Sequence, residues 1–361
     1  MRGLGLLRST AFLSCVLAFF PARAMADTMD PAIERLVIPR PGQPGACVDE
    51  FGRYTGGATC ALDQPAFTRL IAQYGFAFAP LAMHTARTTG FGGFHASVRG
   101  HYTSIDGGKE YWKYGTQGPR DPHTNQGSSY NPSPDSWLQH YAIDVRKGLP
   151  FGFELAADIG FMPRTSILSG GIDFRWSLLE GFRTGVGGVF PDFALGGGVR
   201  TITGTSQFQL TIASFDTQVS KPIPIADSSV FTPYVGYQYI RIFGDSGLID
   251  TTPGTDQLGY CGYQGPDIPG TPGATAPYSG QPVCTGGSAM DSNNSRVFNP
   301  VRLTRHRILV GLTYRYEMVL LGIQYITDAV DPAEANSGAT KDALSGMPRQ
   351  SIVAFQVGGI F

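Results

Sequence analysis

From Phe94 onward the chain alternates between apolar and polar residues with a period of two. In Phe94-His95-Ala96-Ser97-Val98-Arg99-Gly100-His101-Tyr102 one parity is apolar and the other polar. Side chains of a strand point alternately to two faces, so this pattern fits one face in lipid and one toward a polar interior. Tyr141, Ile143 and Val145 alternate with His140, Asp144 and Arg146, and the run from Phe151 to Phe161 alternates with Glu154 and Asp158. Leu168, Ile172, Phe174, Trp176 and Leu178 oppose Asp173 and Arg175, while Phe193, Leu195 and Val199 oppose Arg200. Later, Ile308, Val310, Leu312, Tyr314 and Tyr316 oppose Arg305, Arg307, Thr313 and Arg315, and Val319, Leu321, Ile323 and Tyr325 oppose Gln324. Residues 206–220 change phase near Ser214, as a β-bulge would cause, and residues 230–243 are apolar on both faces.

The pattern predicts an all-β fold: an antiparallel transmembrane β-barrel of about ten strands, within a range of about 8–14, each as long as a tilted membrane strand. The strands fall near 94–105, 137–147, 151–162, 167–179, 191–203, 206–220, 230–243, 302–316, 318–328 and 350–361; residues 76–87 and 182–190 are further candidates for the sheet. Connections after the first, seventh and ninth strands are long (106–136, 244–301 and 329–349), and those after the even strands are mostly short. Outer-membrane barrels have short periplasmic turns and longer extracellular loops. With an even strand number, the N- and C-termini are both expected in the periplasm and the long loops outside.

Residues 1–26 read as a signal peptide: Arg2 and Arg8, an apolar stretch from Ala11 to Phe20, then Ala24-Met25-Ala26. Residues 27–92 form an N-terminal periplasmic or plug segment, and 93–361 the barrel. Within the segment Asp63 as N-cap, Pro65 in the first turn and Phe67, Leu70, Ile71 and Tyr74 on one face predict a short helix. Such a helix needs a surface to pack on, so it caps the periplasmic mouth or enters the lumen.

Composition narrows the class further. Charged residues are 15% of the chain and the formal net charge is −1, which suits a barrel and gives no indication of nucleic-acid binding. Outside the leader lie four cysteines, Cys47, Cys60, Cys261 and Cys284. In an exported chain an even count favours disulfides, and Cys47–Cys60 with Cys261–Cys284 is the economical pairing. No CxxC or nearby His pair accompanies them, so neither a metal nor another cofactor is expected.

The last eleven residues, Ser351 to Phe361, place Phe361, Val357, Phe355 and Val353 on one parity. This resembles the C-terminal signature of Gram-negative outer-membrane β-barrel proteins, in which the terminal strand is read by the barrel-assembly machinery; Gly359 departs from the usual larger apolar residue. The resemblance implies the bacterial outer membrane and its lipid as surroundings, and no subfamily. The Gly-rich segment from Arg87 to Phe94 is similar, over a few residues, to the barrel entry of long-chain fatty-acid transporters, which have more strands.

A barrel of about ten strands lies near the filled end of the size range. The inward parity supplies Arg99, Arg146, Arg175, Arg200, Arg305, Arg307 and Arg315 against Asp144, Glu154, Asp158 and Asp173. In one reading these groups pair as a salt-bridged filling that stiffens the barrel. In another the arginine excess lines a narrow, porin-like channel that favours anions. A third reading is a carrier for a small solute or hydrophobic ligand with residues 27–92 as its hatch, and a fourth is a hydrolase at the rim using His101 or His140. No G-x-S-x-G or H-E-x-x-H motif supports the last, so no catalytic residue is assigned.

Overall fold

The computed structural model describes residues 28–42, 45, 47–53, 55, 59–120, 128–180, 190–226, 228–250, 260–263, 282–285 and 295–361. The leader expectation lies outside these residues. Ten strands form the wall: β1 (Phe94–Ser104), β2 (Trp137–Gly148), β3 (Phe153–Phe161), β4 (Leu168–Leu179), β5 (Asp192–Thr203), β6 (Phe208–Ser220), β7 (Ser229–Ser246), β8 (Val301–Tyr316), β9 (Val319–Asp328) and β10 (Ser351–Ile360). Each pairs antiparallel with the next, and β10 pairs with β1, from Ile352↔Thr103 to Ile360↔His95. The sheet is closed, with no free edge between its first and last strands. Residues 76–87 take no part in it.

The outward parity is an apolar belt. Val98, Ile143, Ile159, Ile172, Val199, Val235, Val310, Ile323 and Val357 are all exposed, and Trp137, Trp176, Tyr314, Tyr316, Tyr325 and Phe361 are exposed aromatics on the same surface. In water such a surface would be untenable; in a bilayer it is the lipid face. No helix among the described residues is long and apolar enough to cross a membrane, so the crossing elements are the strands.

The lumen is filled by the chain's own N-terminal segment. Helix α1 (Gln64–Phe78) is capped by the Asp63 carboxylate, which accepts from Ala66 N at 3.0 Å, and has Pro65 in its first turn. It runs further than the one-faced stripe indicated, because a helix surrounded by a barrel wall is buried on all sides and loses its polar face. Phe67, Leu70, Ile71, Tyr74, Phe76 and Phe78 are all completely buried. The helix enters from the long-loop end: Gln64 Oε1 accepts from Asn299 N at 2.8 Å, and Phe67 stacks on Phe298 with ring centroids 4.4 Å apart. Residues 79–93 continue down to the short-turn end, where Phe94 and Phe361 exchange backbone hydrogen bonds.

The two ends of the described chain, Thr28 and Phe361, therefore lie at opposite ends of the barrel. At the long-loop end Met29 N donates to Arg164 O (3.2 Å), Gly118 N to Thr28 O (2.9 Å), and Ile33 N to Gln207 Oε1 (3.1 Å). An even strand number brings both ends of the wall to the short-turn end, and the further passage of the chain through the lumen carries Thr28 to the other. Residues 37–39 and 60–62 pair as a small ladder beside the Cys47–Cys60 disulfide. The side chains of Cys261 and Cys284 lie outside the described residues, although their backbones are direct partners in a four-residue ladder.

Two short helices of the long loops close over the outer end of α1. In α2 (Glu110–Gly115), Trp112 packs on Tyr74 with centroids 5.0 Å apart and donates its indole N–H to Gln73 Oε1 at 2.6 Å. Above α3 (Gly338–Leu344) the Arg69 guanidinium donates to the carbonyls of Ala343 (2.6 Å) and Ser345 (3.1 Å).

Candidate functional site

The expected phase change in β6 does not occur. Its pairing with β5 and with β7 runs without a register shift. Phe208, Leu210, Ile212, Asp216, Gln218 and Ser220 share one buried parity. The change is in what the lumen holds: the upper half meets apolar α1, and the lower half meets the exposed backbone of the linker that follows it. Strand β7 repeats the arrangement, with buried Ile240 and Ile242 above Gln238 and Thr232.

That linker sets the chemistry of the site. Pro80 forces Ala79 out of the helical region, to ψ 147°, and α1 stops. The last carbonyls of a helix have no intrahelical acceptor role to fill, and they form the negative end of its dipole. Buried in a lumen, they require donors from the wall. Arg307 donates to Phe76 O (3.1 Å) and Pro80 O (2.5 Å), and Arg305 Nη1 to Ala72 O (3.3 Å), a turn earlier in the helix. His101 Nε2–H donates to Ala77 O (2.9 Å), and Arg200 Nη1 to the carbonyls of Phe78 and Ala79 (3.4 Å each). Gln218 takes Ala82 O (2.6 Å), Arg146 takes Met83 O (3.0 Å), and Arg175 takes Thr85 O (2.7 Å). Five of the wall arginines thus grip the backbone of the threaded segment.

Carboxylates on the wall hold these arginines in place. Arg305 forks onto both Asp328 oxygens, Nε–Oδ1 being 2.9 Å; Arg146 Nε meets Asp144 at 2.7 Å; Arg175 meets Asp216 at 3.2 Å; Arg200 meets Asp158. Arg99 bridges Asp144 (3.2 Å) and Asp158 (3.1 Å). Arg307 is bound differently: it donates to Gln238 Oε1 and to plug carbonyls, and forms no ion pair among the described residues. Its guanidinium and that of Arg305 lie 5.2 and 4.7 Å from the Phe76 ring centroid.

The inward residues from the sequence are thus brought together, with two revisions. Arg315 is exposed at the short-turn rim and donates to Glu317 O (2.9 Å). The arginine excess disappears: Arg99, Arg146, Arg175, Arg200, Arg305 and Arg307 face Asp144, Glu154, Asp158, half-buried Asp173, and the additional Asp216 and Asp328. Asp216 follows the apparent phase break, and Asp328 ends β9, so neither joined the inward set. His101 and His140 are buried beneath the plug; His140 meets Ser169 Oγ at 2.7 Å and packs edge-on to Phe78.

At the lower end of the segment, His84 Nε2 accepts from Arg175, because a guanidinium only donates, and its Nδ1–H points to Gln218 Oε1 at 3.1 Å. Arg87 reaches Asp192 (2.7 Å), and Thr89 N donates to Glu154 (2.8 Å). The Glu180 carboxylate receives the Thr88 amide and hydroxyl; burial raises its pKa, and these hydrogen bonds oppose the rise.

No protein-family model and no curated protein sequence matches the chain. Among solved structures it is similar to Ail, the attachment invasion locus protein of Yersinia pestis, at 7% identity and a TM-score of 0.24, over 75% of this chain and 99% of that one. It is also similar to the KdgM porin, at 8% identity and a TM-score of 0.25, over 73% and 98% of the two chains. OprG of Pseudomonas aeruginosa aligns at 9% identity and a TM-score of 0.25, over 77% and 99%. These neighbours are outer-membrane proteins; the barrel assignment itself rests on the strand pairing and the apolar exterior.

Proposed function

We propose that this protein is an outer-membrane barrel closed at rest by its own N-terminal segment, and that it passes small solutes only when the segment withdraws. The observation that carries this reading is the row of plug carbonyls, from Ala72 to Thr85, held by side chains of the wall. Hydrogen bonds to a main chain can be exchanged for water, so the linker is separable from the wall, while α1 above it shares an apolar core with Leu210, Ile212, Ile240 and Ile242. The wall that remains carries six arginines and six carboxylates, so the opened channel discriminates weakly between anions and cations.

Planar-bilayer recording of the refolded protein tests this reading. The full chain is expected to be silent, and the chain lacking residues 28–92 to give stable steps with a reversal potential near zero under a salt gradient. Equal conductance of the two would overturn the proposal.

A further inference from the structure

Below the plug, at the short-turn end, lies a cavity of about 190 Å³ lined on one side by linker residues His84, Thr85, Thr88 and Thr89. A single water needs only about 10–15 Å³ by this measure, so the space is large for a filled lumen. Its origin is an asymmetry of the threading. The linker leans toward the β2–β6 half of the wall, tied there through Arg146, Glu154, Arg175, Asp192, Gln218 and Ser220. The opposite half carries several short side chains. Gln356, Gly322, Thr313 and Thr232 are direct partners across β10, β9, β8 and β7 and make one row. Gly358, Leu320, Arg315 and Val230 make the row nearer the mouth.

The polar groups around this space fall into two sets. Most of the charged groups are already engaged: Arg146 with Asp144 and Arg87 with Asp192 as ion pairs, and Glu154 as acceptor from Thr89 N. The other set is not. His95 is 3% exposed and Gln356 2%, yet among the described residues both ring nitrogens of His95 and Oε1 of Gln356 have no hydrogen-bond partner; the Asp144 carboxylate is 3.9 Å from His95. Arg315 forms no ion pair among the described residues, and it stands at the mouth. Buried polar groups are normally satisfied, and these are neutral donors and acceptors behind one unmatched cation.

We propose that the cavity is a binding site for a small hydroxylated carboxylate entering from the short-turn end. Its carboxylate pairs with Arg315, and its hydroxyl groups meet His95, Gln356 and Thr313. One negative charge answers the one unmatched guanidinium, and hydroxyls can both donate and accept, as His95 and Gln356 require. A divalent anion would place surplus charge beside Glu154 and Asp144, and an uncharged sugar would leave Arg315 without a counterion. The site rests on the closed-barrel reading, because the linker forms one of its walls.

Calorimetric titration of the full chain in detergent micelles, with gluconate as probe and glucose and acetate as comparators, tests the site. Gluconate is expected to saturate, with glucose and acetate weaker by at least about tenfold. Arg315→Gln, which breaks no buried contact, weakens gluconate by about tenfold or more and leaves glucose unchanged. Thr313→Leu fills the cavity and abolishes the heat. Absence of saturation with gluconate, equal affinity for glucose, or an unaffected Arg315→Gln variant would overturn the assignment. Conductance of the same preparation separates the two readings: a silent protein that does not bind refutes the site alone, whereas a conducting one refutes the closed barrel.

Discussion

Replacing Arg307 by alanine in the full chain is expected to open a barrel that is otherwise silent. Arg307 is fully buried and reaches the carbonyls of Phe76 and Pro80 on the plug and Gln238 on the wall. Its removal strands two acceptors, Phe76 O and Gln238 Oε1, at the point where helix gives way to linker, while Pro80 O keeps the Gln238 amide at 3.1 Å. Each buried acceptor left unpaired costs about 1–3 kcal/mol, so the seated plug loses about 2 kcal/mol or more. Since ~1.4 kcal/mol is a factor of ten in an equilibrium, the withdrawn population rises about thirtyfold. Brief openings in bilayer recordings and faster proteolysis within 79–92 are the readouts. Arg307→Lys keeps the charge but not the forked donors, and falls between the two. A variant as silent and as protected as the parent would show that the grip does not hold the segment.

The second large effect is expected at Gly75, within α1. On helix propensity alone alanine would be better there by about 1 kcal/mol. The wall forbids it: a Cβ on Gly75 would sit 2.6 Å from Cδ1 and Cγ2 of Ile242 on β7. That strand is paired along both edges, with β6 and β8, and cannot retreat. Gly75→Leu should therefore unseat the helix, at a cost of about 3 kcal/mol. Adding Ile242→Ala should recover part of the loss, read as thermal unfolding and as protection of the linker from protease. Undiminished stability of Gly75→Leu, or no relief from the second change, would contradict the packing described.

The barrel was legible in the sequence because its two environments, lipid and lumen, imprint a period of two on every strand. All ten strands lie close to the expected ranges, and Asp63 with Pro65 marked the start of α1. What escaped the reading has one physical source. An occupied lumen is not uniformly polar: beside α1 the inward residues are Leu210, Ile212, Ile240 and Ile242, and beside the linker they are Asp216, Gln218 and Gln238. A pattern that assumes a polar interior sees this as a phase break in β6 and a featureless strand in β7. The same assumption hid the length of α1, whose Gly75-Phe76-Ala77-Phe78 turn has no polar face. The inward arginines were visible, but their partners were not, since backbone carbonyls of a distant segment carry no signal in side-chain pattern.

A closed barrel of this kind requires the segment to pass completely through it, and side-specific labelling tests that passage. Phe51 is 66% exposed beside the long loops, and Met318 is 54% exposed in the turn between β8 and β9. With single cysteines introduced at these positions and the Cys47–Cys60 disulfide intact, cells are treated with a membrane-impermeant maleimide. Phe51→Cys is predicted to react on intact cells, and Met318→Cys only after the outer membrane is permeabilised. Reaction of both positions from the same side would contradict the threading and the closed barrel built on it.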